Sequence, residues 1–252
     1  MSTINLTIDG VACTCEHGEF LYDVAKRNGI DIPVLCRSDA FDDHRACCRI
    51  CIVEVEIRGR TKIVTSCVYP VEQDCIVRTN TERIREERAV VMALLIKRAP
   101  DSEKMQTMAK KLGAEAGFDR LVTLDGEKCI LCGLCVQACD SLGTGAISTV
   151  DRGTEKRVDT PYSDPSLDCI GCLSCANVCP TDAISYTQTD TERIIWNRAF
   201  RLVRCPSCGR MMGTEEAVAA AAGRAHVETP QLCDECRKKA IADSMARTYR
   251  YV

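Results

Sequence analysis

The chain has 252 residues, a formal charge of −3, 20 cysteines, only 4% aromatic residues and a single tryptophan, Trp196. That length suits two or three small domains, and the mildly acidic balance offers no basic footprint for nucleic acid. Cysteine at this density means disulfides or metals; "MSTINLTIDG" carries no signal-peptide pattern and no stretch approaches the roughly 18 apolar residues of a membrane span, so metal ligation in a reducing, cytoplasmic setting is expected.

Residues 2–9, "STINLTID", alternate apolar and polar as a half-buried strand does, and Asp9-Gly10 is a hairpin signal before a second strand, "VACTCE". In "GEFLYDVAKRNGI", Phe20, Leu21, Val24 and Ala25 fall at helical spacing with Gly29 as a stop, which predicts a helix over about 19–28. Two further strands, "CIVEVEI" (51–57) and "TKIVTSC" (61–67), are joined through Arg58-Gly59-Arg60. This order is that of a small β-grasp domain. Next, "TERIREERAVVMALLIKRA" opens on Thr81 as a cap and carries an apolar stripe of Ile84, Val91, Leu94 and Leu95 up to Pro100, and a second helix is expected over 102–112. The expected organisation is α+β: a β-grasp domain over 1–78, a helical linker over 79–118, a cysteine-dense block over 119–190, and a tail over 191–252 with two CxxC pairs around the alanine-rich helix "TEEAVAAAAGRA".

The cysteine-dense block repeats itself: "CILCGLCVQAC…GAIS" is echoed by "CIGCLSCANVC…DAIS". Both copies space their cysteines C-x2-C-x2-C-x3-C, at 129, 132, 135, 139 and at 169, 172, 175, 179. In this layout three thiolates wrap one corner of a cubane cluster and the fourth leads to the other cluster, so the pairing crosses. Cys129, Cys132, Cys135 and Cys179 are assigned to one [4Fe-4S] cluster, and Cys169, Cys172, Cys175 and Cys139 to the other. Gly133 and Gly171 suit a close approach of the chain to the inorganic core. Two zinc sites would fit three clustered ligands with a crossing fourth less well. The block resembles the bacterial two-cluster ferredoxins. In that family proline follows the fourth cysteine, as at Cys179-Pro180; Asp140 departs from the pattern, and an ionised carboxylate there is expected to lower the potential of the cluster held by Cys169, Cys172 and Cys175.

Upstream, Cys36, the pair Cys48 and Cys51, and the remote Cys67 have the layout of a [2Fe-2S] site, with Cys47 a rival to Cys48. "CRICIVEVE" resembles the amino-terminal domain shared by the large iron-sulfur subunit of respiratory complex I, the diaphorase iron-sulfur subunit of NAD-linked nickel-iron hydrogenases, and iron-only hydrogenases. That resemblance decides for Cys48, and "IDIPVLC" and "CIVRTN" extend it over residues 3 to about 190. Members of that family commonly carry a further cluster on one His and three Cys between the two domains. Here "RAPDSEKMQTMAKKLG" has Ala99 where the His would be and no cysteine, so that cluster is expected to be missing. His17, His44 and His226 read as surface residues, and Cys13, Cys15, Cys47 and Cys75 as small buried apolar ones.

In the tail, "VRCPSCGR" and "QLCDECRK" offer Cys205, Cys208, Cys233 and Cys236, with 24 residues between the pairs. The spacing reads as a zinc site, and a third [4Fe-4S] cluster is the alternative. No P-loop is present, "GTGA" at 143–146 is only a fragment of a dinucleotide-binding pattern, and no catalytic triad or carboxylate pair can be argued. Single-electron transfer is the chemistry left. The resemblance implies a hetero-oligomeric relay subunit standing between a flavin- and NAD(H)-binding subunit and a catalytic subunit, a nickel-iron hydrogenase by length and domain order. A NAD-linked formate dehydrogenase, an electron-bifurcating complex and a stand-alone multi-cluster ferredoxin are the alternatives.

Overall fold

The computed structural model describes residues 3–41, 45–114, 127–228, 230 and 232–249, so His44 and the 118/119 boundary lie outside the described residues. The fold is α+β and divides into two compact units: Met1–Ala138 with Thr149–Val158 and Val178–Ile184, and Cys139–Ser148 with Asp159–Asn177 and Ser185–Val252. Among the described residues no helix is long and apolar enough to cross a membrane.

The first unit begins with β1 (Thr3–Ile8), β2 (Val11–Glu16), α1 (Leu21–Arg27), β3 (Ile52–Ile57), β4 (Arg60–Thr65) and β5 (Cys75–Arg78). They form a five-stranded sheet in the order β2-β1-β5-β3-β4, with β5 parallel to β1 and antiparallel to β3. β5 is a strand that the sequence pattern does not announce. It is four residues long, and its single alternation, Cys75 and Val77 inward, is too short to read as a period. Both hairpins turn on two left-handed residues, Asp9-Gly10 (φ 49° and 84°) and Arg58-Gly59 (φ 50° and 73°), the turn whose twist matches its strands. Asp9 also accepts from the Thr79 N–H at 2.8 Å, which fixes the end of β5 to the first hairpin. One face of the sheet buries Ile4, Leu6, Ile8, Val53, Val55 and Val77 against Leu21 and Val24 of α1. Each such side chain contributes roughly 1.5–3 kcal/mol.

Two helices follow, α2 (Glu82–Arg98), capped by the Thr81 hydroxyl accepting from Ile84 N–H, and α3 (Glu103–Lys111), capped in the same way by Ser102. The expected apolar stripe on α2 is rotated: Ile84, Arg88 and Met92 are buried at i, i+4 and i+8, whereas Leu94 is 53% exposed. An arginine in the inward row is what periodicity could not foresee. Met92, Ala99 and Met105 build a second apolar cluster with Leu35, Cys36, Cys48, Ile50, Ile130, Cys132 and Leu134.

The cysteine block supplies α4 (Leu134–Ser141), a two-stranded ribbon of β6 (Ser148–Val150) and β7 (Arg157–Asp159), and the short α5 (Ser174–Asn177). The second unit also contains β8 (Thr187–Gln188), β9 (Glu192–Ile195), β10 (Arg198–Arg204) and β11 (Met211–Thr214), a four-stranded sheet in the order β11-β10-β9-β8, followed by α6 (Glu215–Arg224) and α7 (Asp234–Tyr249). The sequence pattern predicts one helix in the tail, and these strands are an addition to that reading. Thr214, fully buried, both caps α6 by accepting from Ala217 N–H and donates to the Ile170 carbonyl in the second cysteine loop.

Replacing Thr214 by Val keeps the shape but leaves a buried carbonyl and a helix N–H without their partner. Thr214→Val should cost about 1–3 kcal/mol in chemical denaturation of the metal-loaded protein, and Thr214→Ser should restore most of it.

Candidate metal centres

None of the 20 cysteines is in a disulfide. Cys36, Cys48, Cys51 and Cys67 are all buried, Cys36 at the end of the loop after α1, Cys48 and Cys51 just before β3, and Cys67 in the helical turn after β4. The sulfurs meet in two pairs. A hydrogen bond from the Cys48 thiol holds Cys36 down to about 6, and one from Cys67 does the same for Cys51, which also sits at about 6; Cys48 and Cys67 are pushed up by holding those bonds and by burial. Cys48 N–H also donates to Cys36 Sγ at 3.4 Å. Cys47, expected to be buried, is exposed, with its thiol 3.6 Å from the Arg45 carbonyl. The reason is local: Ala46 and Arg49 are left-handed (φ 50° and 56°), and the twisted loop leaves the adjacent Cys48 inside and Cys47 out. Cys13, Cys15 and Cys75 are buried as expected.

Two guanidinium groups stand around this site. Arg37 donates to the Cys67 carbonyl at 2.8 Å, makes a bidentate pair with Asp23 at 2.6 and 2.7 Å, and lies 5.0 Å from the Tyr22 ring centre. Its charge is therefore matched, and its effect is to fix the Cys67 turn. Arg88 is 5% exposed and donates to the Ile52 carbonyl, while its Nε has no acceptor. Burial pulls its pKa down, and Cys51 is the foremost group opposing that fall. Arg88 is thus a buried cation with no carboxylate in ion-pair range among the described residues.

The two cysteine loops share a backbone device. Residues 131 and 133 are left-handed in the first copy and residues 171 and 173 in the second, forty positions on, with glycine at only one of the two in each: Leu131 and Gly133, Gly171 and Leu173. Such turns aim successive N–H groups inward, and Leu131 N–H donates to Cys129 Sγ at 3.3 Å. A Cβ at Gly171 would lie 2.7 Å from the buried Phe200 ring, so that glycine is also required by the side chain packed on it; at Gly133 the nearest atom is the mobile end of the exposed Arg45 side chain.

Cys129, Cys132, Cys135 and Cys179 belong to the first compact unit, and Cys139, Cys169, Cys172 and Cys175 to the second. In the first set, Glu127 accepts from Cys129 N–H at 2.8 Å and pairs with Arg98, Cys179 Sγ accepts from Ala183 N–H at 3.3 Å, and burial pushes Cys132 up to about 12. In the second, all four cysteines line one cavity with Trp196. Cys139 Sγ accepts from Ala146 N–H at 3.2 Å and lies 3.1 Å from the Thr144 hydroxyl. Burial pushes Cys175 up to about 11, opposed first by the Trp196 indole N–H, which is buried and reaches no nitrogen or oxygen acceptor. Trp196 and Asn197 form the β9–β10 turn at φ 51° and 58°, a conformation that a bulky residue adopts only under constraint. The carbonyls before this loop are gathered by arginines: Arg198 Nη1 donates to Ser166, Leu167 and Cys169 at 2.8–3.0 Å, and Arg193 Nη1 to Gly171 at 2.6 Å. Sequence reasoning missed Trp196, Arg193, Arg198 and Arg88. The alternation in "ERIIWNRAFRLVR" around a two-residue turn is the signal that could have found the first three.

Asp140, expected to burden the second set with charge, is exposed, where solvent screens it. Asp140 also lies within a helix. α4 runs eight residues through Cys139 to Ser141, whereas α5 has four and ends before Cys179-Pro180, because proline denies the preceding residue helical torsions. Ala99 is fully buried in the Met92–Met105 cluster, and His17 and His226 are exposed. Cys205, Cys208, Cys233 and Cys236 come together, with their sulfurs all within 4.8 Å of one another.

Residues 1–82 match the 2Fe-2S iron-sulfur cluster binding domain and residues 128–183 the 4Fe-4S dicluster domain. The chain is an iron–sulfur protein. It is similar to the NADP-reducing hydrogenase subunit HndD of Solidesulfovibrio fructosivorans, 32% identical over 73% of this chain and 36% of the relative. It is also similar to an NADH-quinone oxidoreductase subunit of Rhizobium meliloti, 27% identical over 82% of this chain and 27% of the relative, and to the NADPH-Fe(3+) oxidoreductase subunit alpha of Geobacter sulfurreducens, 31% identical over 81% and 26%. The chain therefore spans about a quarter to a third of the length of these curated relatives. Among solved structures, a chain of a NAD+-reducing [NiFe]-hydrogenase in the H2-reduced state aligns with TM-score 0.60 and 26% identity over 71% of this chain and 86% of that one. The iron–sulfur protein is thus homologous to hydrogenase and NADH-quinone oxidoreductase subunits.

The buried donors to sulfur, the unspent Trp196 N–H and the cavity shared by four thiols fit iron–sulfur clusters. Cys48→Ser should remove or alter the [2Fe-2S] EPR signal of the reduced protein, and Cys47→Ser should leave it unchanged. Iodoacetamide should label Cys47 ahead of every other thiol in the first 82 residues, read by peptide mass.

Proposed function

We propose that this chain is the electron-relay subunit of a NAD(P)-linked oxidoreductase complex, passing single electrons between a flavin- and NAD(H)-binding subunit and a catalytic subunit. Iron–sulfur clusters, when bound, supply one-electron redox chemistry. We assign Cys36, Cys48, Cys51 and Cys67 to one [2Fe-2S] cluster, Cys129, Cys132, Cys135 and Cys179 to one [4Fe-4S] cluster, and Cys169, Cys172, Cys175 and Cys139 to another; Cys205, Cys208, Cys233 and Cys236 form a separate metal site. The single observation that carries the reading is how the chain groups these sulfurs. Each crossed set lies whole within one compact unit, and Cys36 and Cys48 share an apolar cluster with Ile130, Cys132 and Leu134 of the first cubane loop. A shared dry core keeps two redox sites close and water out, which favours tunnelling and suppresses side reactions.

The chain's own residues hold the sulfurs, exclude solvent and set local charge. The likeness to a chain of a NAD+-reducing [NiFe]-hydrogenase supports a nickel-iron hydrogenase as the catalytic partner. In this reading the [2Fe-2S] domain faces the flavin side. A second reading, the same relay serving another catalytic subunit, draws on the NADH-quinone and NADPH-Fe(3+) oxidoreductase relatives.

Anaerobic purification of the native complex tests this. Co-purifying flavin and nickel, with NADH reducing this chain's clusters only when the flavin subunit is present, is the expected result. Co-purifying flavin without nickel would select the second reading, and a monodisperse chain that exchanges electrons unaided would sink both. Within the chain, Arg88→Met removes a buried positive charge beside the [2Fe-2S] site, which disfavours the more negative reduced state. The [2Fe-2S] midpoint should fall by on the order of tens of millivolts in an EPR-monitored titration, and Arg88→Lys should recover part of it.

A further inference from the structure

The sulfurs of Cys205, Cys208, Cys233 and Cys236 all lie within 4.8 Å of one another, and Cys208 Sγ is 3.6 Å from Cys233 Sγ. Four thiolates around one tetrahedral ion, each about 2.3 Å from it, stand about 3.8 Å apart. On a cubane each thiolate takes a different iron, and the inorganic core between them holds the sulfurs farther apart. Among the described residues no other group of three or more such ligand atoms is drawn this close, the two crossed sets included.

The frame is built for a single ion. Between β10 and β11 the chain makes a tight knuckle, with Cys205 N–H donating to the Arg210 carbonyl at 2.8 Å and Gly209 N–H returning to the Cys205 carbonyl at 2.8 Å. Gly209 closes it at φ 70°. The other pair straddles the start of α7, where Arg237 N–H donates to the Cys233 carbonyl at 2.9 Å. An ion pair from Arg210 to Glu235 at 2.6 Å spans the two halves. The surroundings supply little else to hold them together: α7 buries none of its side chains over 16 residues, and α6 buries only Val218 and Ala222.

We propose that Cys205, Cys208, Cys233 and Cys236 bind one zinc ion, and that this ion is a structural clasp fastening α7 to the β10–β11 hairpin rather than a fourth redox centre. Ligation replaces the apolar core that this segment lacks, as in other small metal-ordered folds. Zinc is preferred over a lone ferrous ion because four thiolates follow the usual divalent order, in which zinc binds more tightly than iron. Zinc has no accessible redox couple, so electrons have no station here. The assignment does not depend on the identity of the partner subunits.

The test is metal analysis of the full chain isolated anaerobically, with zinc-edge X-ray absorption. The expected result is one zinc per chain beside about ten irons, with four sulfur neighbours at about 2.3 Å. The double variant Cys233→Ser with Cys236→Ser should lose the zinc, keep its iron and keep the EPR signals of the other clusters, while α7 becomes susceptible to limited proteolysis. About fourteen irons without zinc would establish a third cubane, and about eleven irons without zinc a mononuclear iron site; either overturns the proposal. Zinc retained at full stoichiometry in the double variant overturns it too. A shortfall of iron with zinc intact counts against the cluster assignments and leaves the zinc site standing.

Discussion

A sulfur that must carry negative charge away from water needs donors and positive charge already aimed at it. Much of this chain's irregular geometry answers that demand. Backbone N–H groups of Cys48, Leu131, Ala146 and Ala183 point at Cys36, Cys129, Cys139 and Cys179. A guanidinium with no carboxylate, Arg88, is driven into the core beside Cys51, and an indole N–H with no oxygen or nitrogen partner is held against Cys175. Each of these is costly alone. Together they describe sites whose stable form contains more than protein.

The same demand explains why the two repeats differ at their ends. Both loops need two left-handed residues, so glycine can stand at either position as long as the chain turns. In the second loop the position that takes it follows from what packs outside, the Phe200 ring against Gly171. The fourth cysteines differ by their successors. Asp140 lets α4 continue past the fourth cysteine to Ser141; Pro180 ends regular structure and hands Cys179 to a loop.

Much of this was legible in the sequence because metal ligation leaves spacing, and spacing survives without knowledge of packing. The hairpins at Asp9-Gly10 and Arg58-Gly59, the Thr81 cap and the duplicated cysteine pattern all declare themselves locally. What stayed hidden was whatever depends on contacts between distant segments. β5 is too short to show a period, Arg88 breaks the polarity rule on which an inward face is recognised, and Cys47 and Cys48 differ only through the torsions of their neighbours. Arg193 and Arg198 look like ordinary exposed strand residues until the carbonyls of 166–171 are seen to need donors.

The turn at Trp196-Asn197 has a consequence for how this region can change over time. Loop tips usually absorb insertions freely. Here an added residue that slipped β9 against β10 by one place would turn Phe200 away from Gly171 and withdraw the indole from Cys175 in the same step. The length of this hairpin is thereby tied to the sulfur loop it leans on, and a change in one asks for a change in the other.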